Sequence, residues 1–194
     1  MKGQEALTTR DEILKAARNL FAERGFHEAS MSSIAKEAGV GKGTLYWYFD
    51  SKQELFKELI KTGGKIIEDK IHKWVKEETS PEEFIKMFIE TGLKHLSNNK
   101  RIIRALFSSD ELGREFKREL FETRYRIINS LEMVIQQGIN EGKFREVSTR
   151  HAAAAIIGII NGMTPALLCD TEDDIEELLG FSFDFIMKGL GKGD

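Results

Sequence analysis

The stretch 30-SMSSIAKEAGVGKGTLYWYFDSKQEL-55 decides the fold. Ser30 reads as the N-cap of a short helix running through Ile34 to Ala38, with Gly39 just past its end. A second short helix spans about Lys42 to Phe49, and Ser51 with Glu54 forms a capping box that opens a third. Short helix, glycine turn, short helix is the order of a helix-turn-helix. Ile34, Ala35, Val40 and Leu45 supply the small and apolar contacts needed to dock two helices at a steep angle. That docking places Lys42, Gly43, Thr44, Tyr46, Trp47 and Tyr48 on or beside the outer face of the second helix. Three consecutive aromatics are more than a small core buries. Against DNA, the phenol hydroxyls and the Lys42 ammonium suit phosphate oxygens. Gly43 and Thr44 are small enough to bring the helix N-terminus to base edges, where a threonine meets a thymine methyl or donates a hydrogen bond. Lys52, in the first turn of the next helix, is placed for another phosphate. Taken alone, the Tyr46-Trp47-Tyr48 run reads at least as well as bundle core; its flanks decide for the DNA reading.

Outward from this segment the chain continues as helices. Upstream, Thr9 with Glu12 makes a capping box, Ile13, Leu14, Ala17, Leu20 and Phe21 share one face, and Gly25 stops the helix. Downstream, Leu55, Phe56, Leu59 and Ile60 share a face of the fourth helix, which Gly63-Gly64 interrupts at a cost of about 1 kcal/mol per glycine relative to alanine. Further starts fall at Ser80-Pro81-Glu82-Glu83, Asp110, Ser148, and Thr171 with Asp174. No sustained period-two alternation, internal repeat or Gly/Ser/Pro linker occurs. The expectation is an all-α chain of about nine helices: a helix-turn-helix three-helix bundle over residues 1–51, and a larger helical domain over 52–194.

Composition narrows the function classes. The 194 residues are 41% hydrophobic and 31% charged with a net charge of −3, which fits a folded domain and makes any nucleic-acid surface local. Residues 1–50 hold seven Lys+Arg and seven Asp+Glu, so non-specific DNA affinity is expected to be modest. Lys2 and Arg10 are either arm contacts to phosphate or solvated charges. The single cysteine, Cys169, forms no internal disulfide, and no Cys/His spacing calls for a metal or cofactor. The polar N-terminus lacks a secretory core. The apolar stretch from Ala152 to Leu168 is broken by Asn161 and Pro165, short of the ~20 residues of a membrane span. A cytoplasmic location is expected. His27, His72, His95 and His151 are dispersed, with no nucleophile elbow, phosphate loop or HExxH, so an enzyme is not expected.

The segments 20-LFAERGF-26, IAKEAGV, GKGTLYWYF and SKQEL closely resemble the DNA-binding domain of the tetracycline-repressor (TetR) family over about the first 60 residues. The resemblance implies base and phosphate contacts at Lys42, Gly43, Thr44, Tyr46, Trp47 and Tyr48, and a phosphate contact at Lys52. Gly41 departs from the serine common at that N-cap, a change of a few tenths of a kcal/mol. It also implies a homodimer. The helix 151-HAAAAIIGIINGMTPALL-168, with Gly158 and Gly162 four apart, and the final helix with Ile175, Leu178, Leu179, Phe181, Phe185 and Ile186 fit that role, because both carry more apolar or small surface than a core stripe requires. The interface residues expected are Ile157, Gly158, Asn161, Gly162, Phe181 and Phe185. A small, apolar effector is implied too, with Trp74, Phe84, Phe88, His95, Phe107, Tyr125 and Asn129 as candidate pocket residues, although Met and aromatic stripes at helical spacing are also ordinary core. The reading is a one-component transcriptional regulator, a repressor, holding palindromic operator DNA as a dimer and released by that effector. Competing readings are a constitutive or nucleoid-organising DNA-binding protein without effector, and a ligand-binding protein with a decayed DNA domain.

Overall fold

A computed structural model of the chain describes residues 8–100, 102–103, 114–163 and 175–191, with side chains described from 121 onward in the third of these stretches. Eight helices lie among the described residues: α1 (Thr9–Glu28), α2 (Met31–Glu37), α3 (Lys42–Tyr48), α4 (Lys52–Lys76), α5 (Pro81–Asn98), α6 (Arg114–Asn140), α7 (Thr149–Gly162) and α8 (Ile175–Leu190). The only extended pairing among them is an isolated antiparallel bridge between Phe144 and Gly191. The helix starts expected at Asp110 and at Thr171 with Asp174 lie outside the described residues, as does Phe107.

Local chemistry sets the ends of the N-terminal helices. The cap of α1 is Thr8 with Asp11, one residue before the pair expected from the sequence. Asp11 Oδ2 accepts from the Thr8 hydroxyl at 2.6 Å and from its N–H at 3.1 Å. Those two bonds favour the carboxylate and hold the Asp11 carboxyl below the usual carboxylate range. Gly25, at φ 80°, breaks the helical path before a last turn that ends at Ala29. Ser30 caps α2 and exchanges bonds with Ser33. At the other end of α2, Gly39 sits at φ 68°, Val40 N–H donates to Ala35 C=O at 3.0 Å and Gly39 N–H to Lys36 C=O at 3.2 Å. This is a Schellman motif, and its left-handed residue is what makes glycine the fitting choice in the turn. At the start of α4 the Ser51 hydroxyl accepts from Glu54 N–H at 3.1 Å, while the Glu54 carboxylate reaches Asp50 N–H at 2.7 Å.

The chain divides into two compact units, one of Met1–Gly63 with Asn99–Arg118 and one of Gly64–Asn98 with Glu119–Asp194. This division falls between the paired glycines of α4, whose first turns carry Leu55 and Phe56 into the N-terminal core. In that core Phe56 meets Phe21 and Phe26 edge-on, both at 5.1 Å, contacts worth about 0.5–1.5 kcal/mol each beyond their buried area. Ile102 joins the same core, and Arg18 Nη2 donates to Asn99 Oδ1 at 3.0 Å.

The second unit is built on α5, which packs against α7 and α8. Its core includes Ile71, Trp74, Phe84, Phe88, Leu131, Ile135, Phe144, Ile156 and Ile186. Within it α4 and α6 approach closely at Gly64, where a Cβ would stand 2.8 Å from Thr123 Cγ2. Rotating Thr123 away would break the bond its Oγ1 accepts from Arg126 Nη2, 3.2 Å. Gly64→Ala is therefore expected to lose up to about 2 kcal/mol net, overpacking outweighing the gain in helix propensity. Adding Thr123→Ser, which removes the obstructing methyl, should restore thermal stability; unchanged melting of the single variant would show that the seam yields freely.

Candidate nucleic-acid interface

Helix α3 has two turns and one anchor. Leu45 is fully buried, and the Phe49 that follows the helix is 3% exposed, so the i and i+4 positions fix the helix on the core. The remaining positions turn outward. Lys42, Gly43 and Thr44 are exposed, Tyr46 is 51% exposed and Trp47 77%. Tyr48 is half-buried, packs on the N-terminal core and takes the Trp47 ring edge-on at 4.6 Å. The structure thus brings five of the expected contact residues onto one accessible surface and gives Tyr48 a mixed role. Gly41 caps α3 without a side-chain bond, and among the described residues no neighbour lies within 4 Å of a Cβ built on Gly43.

Lys52, read as a phosphate contact, and Arg10, read as either an arm contact or a solvated charge, both have partners within the protein. Arg10 pairs with Glu58 at 2.6 Å and lies 5.5 Å from the centroid of the Phe49 ring. Lys52 Nζ donates to the carbonyls of Phe26 at 2.6 Å and His27 at 3.2 Å, and sits 4.4 Å from the centroid of the Phe26 ring. Sequence reading missed these partners because they lie on other elements.

The second unit places its expected residues unevenly. Trp74, Phe84 and Phe88 are buried core, with Trp74 and Phe84 edge-on at 5.7 Å. His95 is half-buried and Tyr125 is 52% exposed beneath Arg150, 5.9 Å away. Asn129 lines a cleft of about 210 Å³ with Glu68, Ile71, His72, Arg126, Ile127 and Ser130. There Arg126 Nε pairs with Glu68 at 3.0 Å. The pairs Glu68/His72 and Arg126/Ser130 stand four apart, a helical spacing that could have flagged this polar seam between α4 and α6. Among residues expected at a dimer surface, Gly158, Asn161 and Gly162 are exposed, and Phe181 and Phe185 are each 59% exposed with rings stacked at 6.0 Å. Ile157 is the exception at 8% exposure; one residue along a helix is a 100° rotation, which turns it from the outer face into the core.

Two family profiles match the chain: "Bacterial regulatory proteins, tetR family" over residues 13–59, and "Tetracyclin repressor-like, C-terminal domain" over 78–165. The chain belongs to the tetR family. This tetR-family transcriptional regulator is 28% identical over 185 residues to the fatty acid metabolism regulator protein of Bacillus subtilis strain 168, covering 92% of this chain and 94% of that one. It is 30% identical over 169 residues to the nucleoid occlusion factor SlmA of Vibrio campbellii, covering 84% and 85%. Among solved structures it resembles the regulator FadR from Bacillus subtilis in complex with stearoyl-CoA, with a TM-score of 0.78, 26% identity and coverage of 92% and 97%. The all-α, helix-turn-helix architecture expected from the sequence is that of the family. None of the described helices of the regulator is long and apolar enough to cross a membrane.

Proposed function

We propose that this regulator represses transcription by holding a palindromic operator as a two-fold dimer, and that a long-chain acyl thioester releases it. The observation that carries the DNA part is the α3 face. A buried Leu45 seats the helix, while Tyr46 and Trp47 stay more than half exposed beside Lys42 and Thr44. Large aromatics on an outer face beside a cation are explained by a polyanionic partner that gives their polar tips hydrogen bonds. One such helix reads few base pairs, so useful specificity calls for two half-sites about 34–36 Å apart.

The effector class rests on likeness to the acyl-CoA-bound regulator, together with the apolar second core of isoleucines with Trp74, Phe84 and Phe88. The cleft of about 210 Å³ is below the ~300–1,000 Å³ typical of ligand pockets, so an acyl chain would enter by selecting a repacked state of that core. The test is to select duplexes from a random pool and then titrate the retained complex with stearoyl-CoA. Tyr46→Ala is expected to weaken binding across sequences, and Thr44→Val to change base preference without a uniform loss; equal retention by Tyr46→Ala would remove the α3 face from the interface. The likeness to a nucleoid occlusion factor favours a second reading, a DNA-binding protein without effector. Retention unchanged by stearoyl-CoA would support it.

Transmission is proposed to run through α4. Gly63 marks the end of the first unit, and a glycine there leaves the helix free to bend. Gly63→Ala is expected to blunt release by stearoyl-CoA while stearoyl-CoA binding persists. Intact release with merely higher thermal stability would assign the glycine to packing.

A further inference from the structure

The cleft between α4 and α6 joins an apolar wall to a set of uncommitted donors. Its wall is Ile71, which is 1% exposed and part of the second core, with Ile127 packed against that core. The other groups lining it are polar, and some have settled partners. Arg126 Nε donates to Glu68 Oε1 at 3.0 Å and Nη2 to Thr123 Oγ1 at 3.2 Å, while the Ser130 hydroxyl donates to the Arg126 carbonyl at 3.2 Å. Among the described residues nothing accepts from Arg126 Nη1, from the Asn129 amide or from the His72 ring. A guanidinium fork, a carboxamide and an imidazole each offer N–H groups, so the cleft is short of an acceptor.

Charge decides which acceptor suits it. The Glu68 side chain is 18% exposed and pairs with the guanidinium that lines the cleft, so these donors come without net positive charge. A carboxylate that took them would stand a few ångström from the Glu68 carboxylate, and a like charge at that range disfavours the ionised form. A neutral carbonyl oxygen has two lone pairs for the same donors and meets no such repulsion. We propose that Glu68 is a specificity-determining residue: by holding the Arg126 charge, it makes the cleft take the uncharged carbonyl of an acyl thioester and turn away the free carboxylate of the same chain. The wall at Ile71 leads the chain toward the second core. The phosphates of a coenzyme A thioester lie at the far end of the pantetheine arm, beyond the ~8 Å over which exposed charges act at physiological salt. This rests on the effector reading above and names the residue that would set its choice of head group.

The test compares the full-length protein with Glu68→Gln and Glu68→Asp. Each is dialysed to equilibrium against labelled stearoyl-CoA and labelled stearate, below the concentrations at which they form micelles, at about pH 8, above the usual imidazole range. Glutamine matches glutamate in size and its amide oxygen still accepts from Arg126 Nε, so the substitution removes the charge and keeps the packing. Arg126 is then free to pair with a carboxylate. Glu68→Gln is expected to tighten stearate binding about tenfold or more, through the charge-assisted bonds now open to it, and to move stearoyl-CoA by less than about threefold. Glu68→Asp keeps the charge and should keep the preference for the thioester. The shift in the ratio of the two affinities is the deciding quantity, because contacts to coenzyme A are common to all three proteins.

The outcomes separate this inference from the effector reading. If Glu68→Gln still holds stearoyl-CoA and leaves stearate as weak as before, or shifts both ligands together, Glu68 does not set the choice and the effector reading stands without it. Equal affinity of the unaltered protein for both ligands has the same consequence. Stearate gained by Glu68→Gln in a protein that never binds stearoyl-CoA would support the role of Glu68 and sink the thioester reading. Binding of neither ligand by any of the three proteins would overturn both.

Discussion

Phe144→Ala is expected to destabilise the second unit by about 3–5 kcal/mol, the range for removing a buried aromatic ring. Three constraints meet at that ring. Helix α6 ends in a second Schellman motif, with Gly142 at φ 73°, Lys143 N–H donating to Gly138 C=O at 2.9 Å and Gly142 N–H to Ile139 C=O at 3.0 Å. The reversal folds Phe144, 1% exposed, back over Gly138, where a Cβ would lie 2.2 Å from the ring. The backbone then pairs with the end of α8: Phe144 bridges Gly191, Arg145 N–H donates to Leu190 C=O at 2.9 Å, and Arg145 Nε donates to Gly189 C=O at 2.7 Å. Loss of the ring leaves a cavity and also frees the strap that holds the end of α8. At about 2–4 °C per kcal/mol for a chain of this size, melting should fall by about 6–20 °C. Gly138→Ala should be severe by itself and much milder in the Phe144→Ala background, since the ring it strikes is gone. Additive losses in that double-mutant cycle would mean the two residues do not meet.

What the sequence discloses and what it hides separate along contact distance. Ser30, Gly39 and Leu45 act through partners within five residues or on the next helix, so the helix-turn-helix reads directly from caps, a left-handed turn and one apolar anchor. The α1 cap shifts from Thr9 to Thr8 because two adjacent threonines offer the same hydroxyl and Asp11 stands three beyond the first. Lys52 is different, since its acceptors are 26 residues away and a lysine in a first turn looks the same in sequence whether it faces solvent, phosphate or another helix. The same holds for Trp74, Phe84 and Phe88: aromatics at helical spacing mark a buried face and cannot say whether a ligand or Ile135 fills the other side. Gly142 after a long helix was a local signal for the reversal at Phe144, and the fit of that ring over Gly138 follows only once the reversal is in place.

Gly158→Leu is expected to leave a folded monomer that no longer holds a two-half-site operator. Among the described residues nothing lies within 4 Å of a Cβ at Gly158 or Gly162, so the larger side chain meets no described neighbour there. Replacing a helical glycine even adds local stability, about 1 kcal/mol for alanine. Misfolding is therefore not the expected route of failure. If the α7 and α8 faces meet their mates across a two-fold axis, as the sequence leads one to expect, the two introduced leucine side chains would face each other near the axis and hold the helices apart. The stacked Phe181 and Phe185 rings, each 59% exposed, would then lose the surface that covers them. Sedimentation at micromolar concentration should give one monomeric species with unaltered helical content. Affinity for the operator should fall by about 10²–10⁴, the avidity lost when two linked half-site contacts become independent, while affinity for an isolated half-site stays the same. A Gly158→Leu protein that still sediments as a dimer would move the interface off α7. If it also kept full operator affinity, the exposed rings of Phe181 and Phe185 would need another partner.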